Sequence, residues 1–177
     1  MENPIRRRSS NTKNWLVIYT RARWEKKVDQ LLKQQGINSY CPMRTVENQW
    51  ADRKKMVEYP LFSSYVFVNI NLKEEQTVRQ TYGVLNFIYF LGKPAIVQDS
   101  EIEKLKNVLL KNPDTEVVSL KGVKVGDRVR IKNGILANQK GNIVEVNGKT
   151  VLMVFDNLDC ALVSRVSVSD LTPHEHE

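Results

Sequence analysis

NWLVIYTRARWEKKVDQLLKQQG, residues 14–36, is the stretch on which the fold turns. Its first seven residues are rich in β-branched and aromatic side chains and read as a buried strand. The remainder places Trp24, Val28, Leu31 and Leu32 at i, i+4, i+7 and i+8, one stripe of an amphipathic helix. Gly36 can close that helix, because glycine enters the left-handed region without a Cβ penalty. A strand running directly into a helix is therefore the unit from which the rest is built.

Downstream, residues 37–43 form a second strand, and the polar stretch to Lys55 reads as a hairpin arm or a loop. YPLFSSYVFVNI, residues 59–70, holds the clearest strand of this half, SSYVFVNI. Asn71 with Glu74 three residues on forms a capping box, which opens a short helix ending at Gly83. NFIYFL, residues 86–91, is a further strand. Ser100 and Glu103 form a second capping box, Ile102, Leu105, Val108 and Leu109 line one helix face, and Pro113 forbids continuation. The strands stand too close together for all-parallel crossovers, so the pattern predicts an α+β unit with an antiparallel or mixed sheet covered by helices.

Around NPDTEVVSLKG, residues 112–122, the periodicity stops and a linker is expected. Beyond it VRIKNG, NIVEVNGKTVLMVF, ALV and VSVS are short strands. Asn147-Gly148 is a strong hairpin signal, because both central residues must tolerate positive φ. Several short strands in so few residues imply a small closed or partly open barrel. The organisation read from the sequence is a basic disordered tail over 1–13, an α+β domain over 14–112, a linker over 113–122, a β domain over 123–172 and a tail over 173–177.

The formal charge of +7 is unevenly spread. Residues 1–58 carry 13 Lys+Arg against 6 Asp+Glu, residues 59–112 carry 6 against 5, and residues 113–177 carry 8 against 9. The excess sits in the first third, the electrostatic footprint expected beside a phosphate backbone and also a means of staying soluble. No run approaches the ~18 uninterrupted apolar residues of a membrane span, and the N-terminus has no apolar segment after its arginines, so a cytoplasmic chain is expected.

Reactive groups do not converge. There is no phosphate loop, no G-x-G-x-x-G and no nucleophile elbow. Ser63 and Ser64 lack a base and read as small residues at a strand start. Glu74, Glu75, Glu101 and Glu103 sit in first helical turns, where the macrodipole accounts for them. Cys41 and Cys160 have no C-x-x-C spacing and read as buried hydrophobes, and His174 and His176 lie at the chain end, so neither metal nor cofactor is expected. The sequence predicts a protein that is not an enzyme.

Together, NWLVIYTRARWEKKVDQLLKQQGI, YPLFSSYVFVNI and NFIYFLGKPAIV resemble the N-terminal (NGN) domain of the NusG/Spt5 transcription factors, and VGDRVRIKNGILANQKGNIVEVNG resembles the KOW motif. The likeness covers residues 14–171. CPM at 41–43, PLF at 60–62 and KPAIV at 93–97 look closest to the specialised RfaH-like, capsule-operon (UpxY-like) branch. The resemblance implies an NGN α/β sandwich with a mainly antiparallel sheet, linked to a C-terminal SH3-like β-barrel. It also implies a monomer that binds elongating bacterial RNA polymerase, suppresses pausing and promotes antitermination. An RNA-binding or ribosome-associated KOW protein is the alternative, although its excess charge should lie on the KOW segment.

By period two, Tyr65 and Phe67 share one strand face and Val66 and Val68 the other. The valines suit an internal core, while the aromatic face, extended by Phe62 and Phe90, has more ring area than a one-sided sheet should leave wet. In the family the matching positions form the depression that grips the β′ clamp helices of the polymerase, with Ile102 and Leu105 as further wall positions. The resemblance also implies that Arg21 and Lys27 face non-template DNA, with Arg23 and Lys26 adding charge nearby. The sequence departs from the RfaH pattern at Glu74–Thr77, EEQT, where those factors carry a polar segment touching the polymerase gate loop, and at Tyr82, where they carry a DNA-facing arginine. Gly134 and Gly141 match the KOW glycines, and Leu136 stands where NusG has a phenylalanine facing a partner such as a ribosomal protein. RfaH can refold this domain into a helical hairpin, but the Asn-Gly turn, VLMVF and VSVS favour strands here.

Overall fold

The computed structural model describes residues 11–119, 145–146, 149–155, 158 and 160–164, with side chains at 11–117 and 158. The chain divides into two compact units, Met1–Pro42 with Phe62–Glu103, and Met43–Leu61 with Lys104–Glu177.

The first unit is built on a sheet whose central strand is β1 (Asn14–Thr20). β5 (Tyr65–Ile70) pairs antiparallel along one side of it, from Asn14 opposite Ile70 to Tyr19 opposite Tyr65. β2 (Asn38–Tyr40) then pairs with the outer edge of β5. On the other side of β1 lie β6 (Val84–Phe87) and β9 (Ile96–Val97), also antiparallel. Leu16, Val17 and Ile18 are all buried, as expected of a central strand covered on both faces, and this explains its unbroken apolar run.

The helices follow the sequence expectations with local corrections. α1 (Glu25–Gln34) buries Val28 and Leu32, and Gly36 just beyond it has φ +76. No atom lies within 4 Å of where its Cβ would be, so backbone conformation and not crowding requires glycine there. The Asn71 capping box forms as read: Asn71 Oδ1 accepts from the N–H groups of Lys73 and Glu74 at 2.9 and 3.1 Å, and the Glu74 carboxylate accepts from Asn71 N–H at 2.9 Å. α2 (Glu75–Gln80) begins directly after it.

The second capping box is displaced. α3 (Asp99–Lys111) starts before Ser100, and the reciprocal bond runs from Gln98 N–H to the Glu101 carboxylate at 2.7 Å. Ser100 is thus inside the first turn, because Asp99 already adopts helical geometry. NFIYFL is divided between β6 and β7 (Tyr89–Phe90), which forms a two-stranded hairpin with β8 (Lys93–Pro94) through Leu91 and Gly92, at φ +49 and +75. Paired positive φ values at a two-residue loop match the twist of a hairpin.

In the second unit, β3 (Met43–Gln49) and β4 (Lys54–Pro60) form a hairpin in continuous register from Met43 opposite Pro60 to Gln49 opposite Lys54. The stretch read as a linker contains a strand, β10 (Glu116–Ser119), paired with β13 (Cys160–Ser164). Four residues are too few to show periodicity, and partners 41 to 47 positions further on supply the pairing. β13 also pairs with β12 (Lys149–Phe155), and β12 with β11 (Glu145–Val146), giving an antiparallel sheet in the order β10-β13-β12-β11. Val146 stands opposite Lys149, the register a two-residue Asn147-Gly148 turn requires, although that turn itself lies outside the described residues. The observed class is the expected α+β one, helices on a mainly antiparallel sheet followed by a small β domain. Residues 1–10, Gly134, Leu136, Gly141, VSVS and both histidines lie outside the described residues.

Candidate functional site

Two clusters of aromatic side chains lie in the first unit, and they differ in what covers them. The first surrounds β5. The Phe67 ring meets Phe62 edge-on at 5.5 Å and Tyr40 at 6.4 Å, while Tyr65 meets Tyr19 edge-on at 5.9 Å. Phe62 and Phe67 are buried, as are Ile102 and Leu105, and only Tyr65 and Phe90 of the six expected polymerase contacts are partly exposed. The expectation that the aromatic face of β5 stands open is corrected: both faces of this strand are covered, so Phe67 is as deep as Val66 and Val68. The exposed rim at this place is Tyr65 with Tyr19, which is 42% exposed.

Burial also sets the chemistry of the two residues at the end of β2. Desolvation, with Cys41 and Glu103 nearby, pushes the Tyr40 phenol up to about 12. Desolvation, with Asp29 and Glu25 opposing a thiolate, likewise pushes the Cys41 thiol up to about 12. A buried, protonated thiol is a packing group and not a nucleophile.

The second cluster lies where β1 turns into α1. Arg21, Arg23, Lys26 and Lys27 are exposed. Trp24, the first residue of the helical stripe in the sequence, is the hub. Lys27 Nζ lies 4.4 Å from the centre of its ring and the Arg21 guanidinium 5.9 Å. Tyr82 meets Trp24 edge-on at 5.1 Å with rings 70° apart. Arg21 also lies 5.1 Å from the centre of the Tyr82 ring, and its Nη1 donates to the Tyr82 hydroxyl at 3.3 Å. Ring quadrupoles attract cations at such distances, so the two charges are held in place without a carboxylate to neutralise them. Among the described residues neither Arg21 nor Lys27 has a carboxylate partner.

Backbone geometry fixes this cluster. Arg21 N–H donates to Gly83 O at 2.9 Å, and Arg23 has φ +65, which turns the chain into α1. Gly83 has φ +96, and a Cβ there would stand 2.8 Å from both Trp24 and Val28, so this site needs glycine for conformation and for close approach. On the other flank, the buried Glu25 carboxylate accepts from Ser64 N–H at 2.6 Å, and Ser64 itself has φ +63. Ser64 O accepts from Thr20 N–H at 2.7 Å. The Ser63-Ser64 pair is therefore a backbone junction tied to the start of α1, and Ser64 is buried.

Arg21, Arg23, Lys26 and Lys27, the basic helix start of the sequence, are all exposed. Trp24 and Tyr82 join them, and neither is marked as a site residue by the sequence pattern. Trp24 was absorbed by the helical stripe. Tyr82 sits beside Gly83, and that glycine is the signal in the sequence for a turn that here has φ +96 and approaches Trp24 and Val28 closely.

An antiparallel α+β sheet domain followed by a small β domain defines a class of two-module proteins. The family model described as "Transcription termination factor nusG" matches residues 13–106, and the one described as "KOW motif" matches residues 125–157. The chain belongs to the NusG family. Among its relatives is the transcription termination/antitermination protein NusG of Lactococcus lactis, 27% identical over 92% of this chain and 91% of that one. The protein of the same name from Streptococcus pyogenes is 26% identical over 88% and 93%, and that from Chlamydia trachomatis 30% over 79% and 84%. A solved structure titled "Domain interaction in Thermotoga maritima NusG" aligns with a TM-score of 0.42 at 18% identity, over 89% of this chain and 96% of that one.

Proposed function

We propose that this chain is a bacterial transcription elongation and antitermination factor of the specialised RfaH-like kind. It acts as a non-enzymatic cytoplasmic monomer that binds RNA polymerase, contacts non-template DNA in the transcription bubble and suppresses pausing and termination. The reading is supported above all by one observation: the matched family model spans the whole exposed basic corner, and that corner carries two cations held on aromatic faces. Its named relatives act in transcription termination and antitermination, which supports the same setting.

In this proposal Arg21, Arg23, Lys26 and Lys27 contact DNA phosphates, and 14–112 and 123–172 act as the NGN and KOW modules. The β′ clamp helices dock through Tyr65 and Phe90, which are partly exposed, while Phe62, Phe67, Ile102 and Leu105, the other positions the resemblance implies, are buried. Leu136 on the KOW module would face a ribosomal protein or another factor.

The experiment is a pull-down of core RNA polymerase followed by an elongation assay on templates with and without long leaders. The wild-type chain should bind and raise read-through. A Tyr65→Ala, Phe90→Ala double variant should fold and bind a β′ clamp-helix fragment at least about tenfold more weakly, the loss of a single hot-spot anchor. A folded variant with unchanged affinity would reject the docking rim.

A further inference from the structure

The β3–β4 hairpin has one edge closed and one open. On the β3 edge, Thr45 N–H donates to Pro113 O at 2.7 Å, and the Arg44 guanidinium lies 3.6 Å from the Glu116 carboxylate. Thr45 therefore turns its backbone away from β4, while at the tip Trp50 N–H closes the ladder on Arg53 O at 2.8 Å. Bonding alternates along an antiparallel ladder, so Lys54, Met56 and Glu58 turn their backbone groups to the outer edge of β4. Among the described residues β4 pairs with no strand but β3, and Lys54, Lys55 and Met56 are exposed. Two strands alone are marginal in water, and added strands stabilise such a ribbon. Lysine on an open edge normally guards it against pairing. Here one register escapes that guard, because in it the edge is complementary to itself.

We infer that β4 pairs antiparallel with β4 of a second copy of this chain, about a two-fold axis at Met56, giving a four-stranded sheet with β3 at each outer edge. Such an axis keeps the faces of the two strands aligned, so only registers that join residues of equal parity are open. Centred on Met56, the outward-turned residues meet one another: Met56 faces Met56, and Lys54 faces Glu58 of the other copy, twice over. On the opposite face Lys55 stands by Val57 and Arg53 by Tyr59. The Tyr59 ring is 41% exposed, and its hydroxyl accepts from Asn48 Nδ2 at 2.9 Å, which holds it along the ribbon. Opposite charges on facing residues stabilise a strand pair, and a guanidinium beside a ring is attracted to its face. Moving the axis by one residue destroys the match. Centred on Lys55 the pairing sets lysine against lysine, and centred on Val57 it sets Lys54 against Pro60, which has no N–H to donate. A contact confined to two strands lies below the ~1,200 Å² of stable complexes, so the pair separates on dilution and single copies remain for the polymerase. It uses none of the residues assigned to polymerase or DNA above.

The experiment is sedimentation velocity of the full chain, loaded across the micromolar to millimolar range. The wild type should pass from one copy to two as concentration rises. Met56→Pro removes the central outward N–H and leaves the bonds to β3 in place, since proline is accepted at an edge position whose N–H faces solvent. It should abolish the pair while keeping the wild-type far-UV spectrum and wild-type binding to the clamp-helix fragment. Lys54→Glu alone and Glu58→Lys alone should each stay single, because like charges then face each other. An equimolar mixture of those two variants should pair, because their altered edges complement one another. A wild type that stays single at every loading overturns the inference and leaves the edge to another occupant. A pair that survives Met56→Pro overturns it by moving the contact elsewhere, and a mixture of folded charge variants that stays single overturns the register. Should Met56→Pro lose the wild-type spectrum, the mixture decides alone.

Discussion

The Phe67 cluster and the Trp24 cluster are made of similar residues and do opposite things. In the first, rings pack on rings, Phe67 has no exposed surface, and the neighbouring phenol and thiol are kept neutral by burial. In the second, rings pack on cations, Arg21 and Lys27 stay exposed, and Tyr82 faces solvent over 62% of its surface. The lesson is that an aromatic residue in a sheet domain says little about interfaces until its neighbours are known. The Phe67 ring, packed among other rings, is spent on stability, whereas Tyr82, packed beside a cation, stays exposed.

That contrast can be broken most directly by truncation. Phe67→Ala should destabilise the chain by about 3–5 kcal/mol, the usual cost of removing a fully buried phenyl group, whereas Arg21→Ala should stay within about 0.5 kcal/mol. Urea unfolding midpoints of the two variants measure this, and similar shifts for both would erase the distinction. A smaller effect is expected at the hinge of the open cluster. Gly83→Ala pushes a methyl group against Trp24 and Val28 at a positive φ, and overpacking of this kind costs about 1–3 kcal/mol. It should also shift the fluorescence of Trp24, and a variant with wild-type stability and emission would show that the close approach is not needed.

An electrostatic effect, a dependence on pH that is absent below about pH 9, belongs to the closed cluster. Tyr40 and Cys41 have folded-state values near 12 against ordinary values of 10.0 and 9.0, so folding favours their protonated, neutral forms. Their contribution is complete below about pH 9 and is lost as pH rises toward 12, because the unfolded chain gives up these protons first. Urea midpoints should therefore decline between pH 9 and pH 11 and decline less in a Tyr40→Phe variant. An identical profile in that variant would remove Tyr40 from the account.

Much of this was legible beforehand. The strand-to-helix unit at 14–36, the Asn71 capping box and the register across Asn147-Gly148 rest on local chemistry, and each is present. What escaped depends on distant partners. β10 could not be seen because its pairing residues, 160–163, lie far along the chain. The depth of Phe67 could not be seen because period two assigns a face and not its cover. Tyr82 was passed over because its role comes from Trp24, nearly sixty positions earlier and brought close by the Gly83 turn.

β2 and β5 are neighbours in the sheet, with Tyr40 opposite Phe67, although the β3–β4 hairpin intervenes. That hairpin is an excursion from a pairing that closes without it. Closure entropy grows only with the logarithm of an excursion's length. Its tip, exposed at Ala51 and Asp52, is therefore the place where added residues should be tolerated best, and a short epitope inserted there would give a handle for isolating the factor with its partners attached.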